Sequence, residues 1–382
     1  MGSTSNSQLS LRRVKKFASS SVLESNYTNA ATPPTPNPTQ NNLRTLVNIT
    51  NHPLNHPRSR SLSQSQFEGP KFPFHNQTQR FTRKSVSQAT LQVKQHATIE
   101  SLISNPPASL VESLQDLRYL ILTEGVTADM DGNSPLRIYI WSILLGVTPM
   151  RTGDYVSLVR RGASSSYSKI RNDTFRTLAT DPLFRRRVSE ASLIRLLNAF
   201  QWKMRDTGVD AQYVQGMNVI AAPFLYAARS EVEAFSLFAI FIQRECPAYV
   251  RPTMEGVHSG LKLVDQCLET VDPKLYAHLQ SKFLSAELYA FPSVLTLSAC
   301  TPPLPEVLKL WDFLLAYGAH LNILCVVAQL LLMRDELLAA QSPMKLLRQF
   351  PPLNSKTIIS VAVSLVRKIP EDLFEALVNH AR

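Results

Sequence analysis

From residue 96 onward, apolar residues return every three or four positions and almost nowhere alternate, so the chain can build helices and has little from which to make a sheet. The clearest case is the stripe Val307, Leu308, Trp311, Leu314 and Leu315, which falls on one helical face, opened by Pro305-Glu306 and closed by Gly318. A second helix is predicted from Ser134 as N-cap and Pro135 as first residue. Its apolar side holds Leu136, Ile140, Trp141, Leu144 and Leu145, and Gly146 is its stop. Residues 192–205, 231–245, 357–368 and 371–380 read the same way. No fixed internal period is present, which disfavours a solenoid. The predicted fold class is all-α, one large helical domain or two packed lobes over 96–382. The longest apolar segment, 316–333, contains His320, Asn322 and Gln329 and falls short of a clean span of ~20 residues. It is read as a buried core helix, and no membrane span is expected.

The formal charge of +11 is concentrated at one end. Residues 1–95 carry 12 Lys+Arg against 2 Asp+Glu, whereas 96–382 is nearly balanced. The first quarter is also rich in Ser, Thr, Asn, Gln and Pro and cannot bury enough apolar surface to offset its ordering entropy. It is read as a disordered basic tail. Its residues 9–18 are basic with apolar positions at helical spacing, which permits a transit peptide. Asn6 stands where a myristoylation signal has Ser or Thr. Thr32, Thr35 and the run Arg58-Ser59-Arg60-Ser61 look accessible to kinases. Aromatics are too sparse in the tail for a stacking platform, so no nucleic acid is expected as a partner.

Glycine and cysteine exclude several chemistries. Among 12 glycines no two are separated by a single residue, and no Gly-x-x-x-x-Gly-Lys loop occurs, so the chain has no phosphate cradle of its own. Cys246, Cys267, Cys300 and Cys325 show no Cys-x-x-Cys spacing and are read as four buried thiols. No His-Glu-x-x-His or Gly-x-Ser-x-Gly occurs. His258, His278, His320 and His380 are isolated along the chain, so no metal site is expected.

Two short segments carry chemistry. In Ile170-Arg171-Asn172-Asp173-Thr174-Phe175-Arg176, Asp173 and Arg176 are neighbours on a helical turn, with Ile170 anchoring its apolar side. Taken alone, such a pair is a surface ion pair worth ~0–1 kcal/mol. In Tyr213-Val214-Gln215-Gly216-Met217-Asn218, Gly216 and Asn218 interrupt an apolar stretch that runs on to Tyr226. Taken alone, Gln215 reads as a group satisfying the backbone at a helix mouth.

Together, in this order, the segments resemble the two signatures of the TBC domain, Ile-x-x-Asp-x-x-Arg and Tyr-x-Gln. Arg137 four before Trp141, Leu144-Leu145-Gly146, Arg176-Thr177 before Asp181-Pro182, and Leu310-Trp311-Asp312 agree with it. The resemblance covers about residues 110–340, most tightly 131–318. Within the family it narrows to the fungal mitotic-exit and septation checkpoint branch, on Tyr213–Val219 and Ala222–Tyr226. Val219 and Phe291-Pro292, which depart from most family members, also fit that branch.

The resemblance implies a GTPase-activating protein that is not itself an enzyme and lends catalytic groups to a small Ras/Rab-like GTPase. Arg176 is the implied arginine finger and Gln215 the residue that orients the attacking water. Asp173 would hold Arg176, Tyr213 would brace the Gln215 segment, and Ile170 and Asn218 would support the two. GTP and Mg²⁺ would belong to the partner, so no cofactor of its own is implied. The branch further implies a scaffold or adaptor subunit and a cytoplasmic protein concentrated at the spindle pole body. Two other readings remain from the residues themselves, a non-catalytic scaffold of the same fold and an α-helical interaction module tethered by its basic tail.

Overall fold

The computed structural model describes residues 98–209 and 212–382. The basic tail read over 1–95, with its kinase-accessible sites and the amphipathic run 9–18, lies outside the described residues. The periodic segments are helices, and no strand occurs among the described residues. A first group comprises α1 (Ile99–Ser104), α2 (Leu110–Thr123), α3 (Arg137–Leu145), α4 (Thr152–Arg160), α5 (Tyr167–Thr174), α6 (Pro182–Arg187), α7 (Glu190–Asp206), α8 (Met217–Ala227) and α9 (Glu231–Arg244). A second comprises α10 (Glu255–Val271), α11 (Pro273–Ser281), α12 (Ala286–Tyr289), α13 (Phe291–Leu295), α14 (Leu304–Tyr317), α15 (Asn322–Leu332), α16 (Arg334–Ala339), α17 (Pro343–Leu347), α18 (Ser355–Val366) and α19 (Glu371–Asn379). Several starts are fixed by side-chain caps. Ser189, Ser230 and Asn354 accept from the third backbone N–H of α7, α9 and α18.

In the first group α7 is central, packing on α4, α5, α8 and α9. In the second, α10 packs on α11, α15 and α19, and α15 on α18. Helix α14 belongs to both, since it meets α2 and α3 on one side and α18 on the other. That explains why its apolar stripe is only part of what it buries. Leu310, Asp312, Phe313, Ala316 and Tyr317 are buried as well, so α14 is enclosed on every side from Leu310 onward. The core where the groups meet is aromatic. Phe224 of α8 stands edge-on to Trp141 of α3 at 5.6 Å and to Trp311 of α14 at 5.3 Å, and Phe241 of α9 lies 5.4 Å from Trp311.

Three local expectations need correction. Helix α3 begins at Arg137, not at Pro135. Ser134 Oγ instead accepts from the Leu136 N–H in a preceding turn. The Arg137 guanidinium donates to the Gly132 carbonyl, which holds that turn beneath the first residues of the helix. Helix α14 starts one residue early, at Leu304, with Pro305 inside its first turn. Segment 316–333 is not one helix. Gly318, at φ 120°, ends α14, a 3₁₀ turn follows over Ala319–Leu321, and α15 then begins. No helix among the described residues is long and apolar enough to cross a membrane. The thiols of Cys246, Cys267 and Cys325 are buried as expected, while Cys300 is half-buried.

Interrupting that segment places His320 under the C-terminal helix. Its ring meets Phe374 of α19 edge-on at 6.0 Å, and Nε2 is sealed from solvent with no hydrogen-bond partner among the described residues. Burial, reinforced by His380 and Arg382, lowers its pKa to about 3. The unfolded chain therefore takes up a proton near pH 6.5 that the folded chain refuses until about pH 3. Stability is full above about pH 6.5 and falls as the pH drops below it, by up to about 2 kcal/mol between pH 7 and pH 5. Urea unfolding across that range measures the loss, and His320→Gln flattens the slope. A profile identical in the two proteins contradicts this account.

Candidate functional site

The first motif lies where α5 unwinds. Ile170, Asp173, Thr174 and Thr177 turn inward and are buried, which fixes the register of the helix and of the turn after it. The Arg176 N–H donates to the Asp173 carbonyl at 3.3 Å, and Leu178 then reverses the chain with φ 43°. A left-handed conformation is costly for leucine, and it sits two residues beyond Arg176. Asp173 binds on three sides. Its Oδ1 accepts from Arg176 Nη2 at 2.5 Å, its Oδ2 from the Tyr213 hydroxyl at 3.0 Å, and its carbonyl from Thr177 Oγ1 at 3.0 Å. The Arg176 side chain stays 32% exposed while its carboxylate partner is buried.

The second motif leads into α8. Gly216 is its N-cap at φ 106°, and a Cβ there would come within 2.7 Å of the Leu295 side chain, so only glycine serves. Asn218 ties the segments together. Its Oδ1 accepts from the Gly216 N–H at 3.0 Å and lies 3.2 Å from the Tyr213 hydroxyl. Its Nδ2 donates to Thr177 Oγ1 at 2.8 Å. Burial and the Asp173 carboxylate push the Tyr213 phenol far up, so it stays protonated and donates.

The first N–H groups of α8 go to backbone carbonyls, Met217 to Val214 and both Val219 and Ile220 to Gly216, and none goes to Gln215. The Gln215 side chain is exposed and has no hydrogen bond among the described residues. Reading Gln215 as a backbone cap does not fit this geometry. Arg176 and Gln215 are the outward groups of two segments joined by a buried chain of hydrogen bonds, with Asp173, Tyr213 and Asn218 inside it and Ile170 beneath. Chemically, the first offers a fork of donors and the second an amide that can donate and accept at once.

Thr177 was legible only as the residue after Arg176, yet its hydroxyl links the motifs. Leu295, which closes over Gly216, carried no signal in the sequence at all. Two residues of the basic run Arg185-Arg186-Arg187 are used within the chain. Arg186 pairs with Asp131 at 2.5 Å, and Arg187 bonds Asn133 and lies 5.3 Å over the Tyr226 ring. No cluster of three His, Cys, Asp or Glu fit to hold a metal occurs among the described residues.

The family model described as the Rab-GTPase-TBC domain matches residues 134–338, which enclose both motifs. The chain belongs to this TBC family. TBC membership makes it a GTPase-activating protein whose partner is a small GTPase. Relatives share most of its length. Cell division control protein 16 of Schizosaccharomyces pombe is 49% identical over 283 residues, 74% of this chain and 93% of that protein. Mitotic check point protein BUB2 of Saccharomyces cerevisiae is 45% identical over 296 residues, 74% of this chain and 96% of that protein. Among solved structures, the Ypt/Rab-GAP domain of Gyp1p matches with a TM-score of 0.56 at 18% identity, covering 66% of this chain and 91% of that one. The Chlamydomonas flagellar RabGAP TBC domain matches at 0.51 and 21% identity, covering 74% and 88%. At these identities the two structures bear on the TBC fold alone.

Proposed function

We propose that the protein inserts Arg176 and Gln215 into the nucleotide site of a small Ras/Rab-like GTPase and so restrains mitotic-exit or septation signalling. One observation carries this reading. The two side chains stand outward from segments that one buried network, Asp173–Tyr213–Asn218–Thr177, ties together. Phosphoryl transfer to water asks for positioned charge more than for covalent chemistry, and a guanidinium braced by Asp173 beside an amide left free for a partner answers to that. Arg176 meets charge growing on the phosphate oxygens, and Gln215 holds the attacking water. GTP and Mg²⁺ come with the partner. The cell-cycle role rests on the names of the relatives above, both of which concern cell division or the mitotic checkpoint. From the resemblance to the mitotic-exit and septation branch alone, we also propose that it works in the cytoplasm at the spindle pole body with a scaffold or adaptor subunit. We assign 96–382 as the GTPase-activating unit and 1–95 as a tail outside it.

The test is a pull-down with purified Ras- and Rab-type GTPases loaded with GDP and a fluoride mimic of the transferring phosphate. One GTPase is retained by the full chain with the mimic and lost without it, and Arg176→Ala abolishes retention. Equal capture by Arg176→Ala overturns the proposal in favour of a non-catalytic scaffold.

A further inference from the structure

The residue beside the arginine is a phenylalanine that makes no ring contact among the described residues. Phe175 is 65% exposed. Its position is forced, because the register that buries Ile170, Asp173, Thr174 and Thr177 turns position 175 outward. Arg171 and Asn172, four and three positions earlier, are exposed on the same side of α5 and make a polar rim.

We propose that Phe175 is the apolar anchor by which this chain docks on the GTP-loaded form of its partner GTPase, setting affinity where Arg176 sets rate. This rests on the reading of Arg176 given above. Phe175 directly precedes Arg176 and both side chains reach solvent, so a partner that brings its γ-phosphate to the Arg176 guanidinium meets the chain next to the exposed ring. The protein surface bordering a γ-phosphate consists of switch segments that are ordered by that phosphate and released on hydrolysis. An aromatic ring seated there finds its apolar contact in the GTP state and loses it in the GDP state. A buried ring ringed by polar residues is also the usual form of an interface hot spot. Phe175 thus gives the protein a means to engage substrate and release product that is separate from its fingers.

The experiment uses the full chain and the GTPase retained in the pull-down, with single-turnover phosphate release measured against increasing amounts of the protein. Phe175→Ala raises the half-saturating concentration about tenfold and keeps the maximal rate within about twofold. Phe175→Leu restores most of the affinity, and the melting temperature of both variants matches the unmodified protein. Arg176→Ala, measured alongside, keeps half-saturation and loses the maximal rate. An unchanged half-saturating concentration for Phe175→Ala, with Arg176→Ala inactive, overturns the anchor and leaves the finger standing. A fall in maximal rate alone also overturns it, because Phe175 would then act through Arg176. Full activity of Arg176→Ala overturns both.

Discussion

Replacing Arg176 by alanine is expected to lower the stimulated rate of GTP hydrolysis by about 10³- to 10⁵-fold, the range set by arginine fingers of Ras-type systems and equivalent to about 4–7 kcal/mol of barrier. The protein survives the change. Arg176 is a partly exposed side chain, and Asp173 keeps the Tyr213 hydroxyl as a donor when the guanidinium is gone. Arg176→Lys separates charge from shape. It keeps a positive group near Asp173 but cannot present the planar fork, and it is expected to recover little of the rate. Gln215→Ala also removes most of the stimulation, with no cost in stability, because its side chain has no hydrogen bond to lose among the described residues. The double variant is scarcely worse than either single one if both groups act on one transition state. Single-turnover phosphate release reads all four. Full stimulation by Gln215→Ala would mean that the partner orients its own water, and full stimulation by Arg176→Ala would remove the finger.

What could be seen in the sequence divides along a physical line. Helical stripes and stops depend on residues within a few turns, and the stripe from Val307 to Leu315 and the stops at Gly146 and Gly318 were legible for that reason. The segment 316–333 was misread because hydrophobicity does not register a turn. In sequence Gly318 marks only the end of one helix, and apolar Ala319 and Leu321 hide the 3₁₀ turn after it. The site was legible as residue types in order, and the Asp173–Arg176 pair followed from spacing alone. The bonds that assemble it were not, since Tyr213 meets Asp173 across 40 positions and Asn218 meets Thr177 across 41. Such contacts follow from α5 packing beside α8, which no local pattern encodes. The same limit hid the partner of Arg137.

Asp312→Ala is expected to destabilise the protein by about 3–5 kcal/mol, a large share of the 5–15 kcal/mol typical of a folded domain. Asp312 of α14 accepts from Arg137 Nε at 2.9 Å, from Arg137 Nη2 at 3.0 Å and from Trp141 Nε1 at 2.7 Å. Both members of the ion pair are almost wholly removed from water. Deleting the carboxylate therefore strands a guanidinium that solvent cannot reach, leaving it only the Gly132 carbonyl, and orphans an indole N–H at the joint between the helix groups. The harm comes from the stranded charge more than from the lost attraction, and a second variant separates the two. Arg137→Met combined with Asp312→Leu removes both charges and fills the space with apolar atoms, so it recovers most of the loss. The Trp141 N–H still lacks a partner and keeps a deficit of about 1–3 kcal/mol. Urea unfolding at low and high salt completes the comparison, because a pair sealed from water is screened far less than an exposed one such as Arg161–Asp206. A loss below about 1 kcal/mol for Asp312→Ala, or a double variant weaker than the single one, would mean that α14 is held to α3 by the aromatic contacts of Trp141 and Trp311 alone.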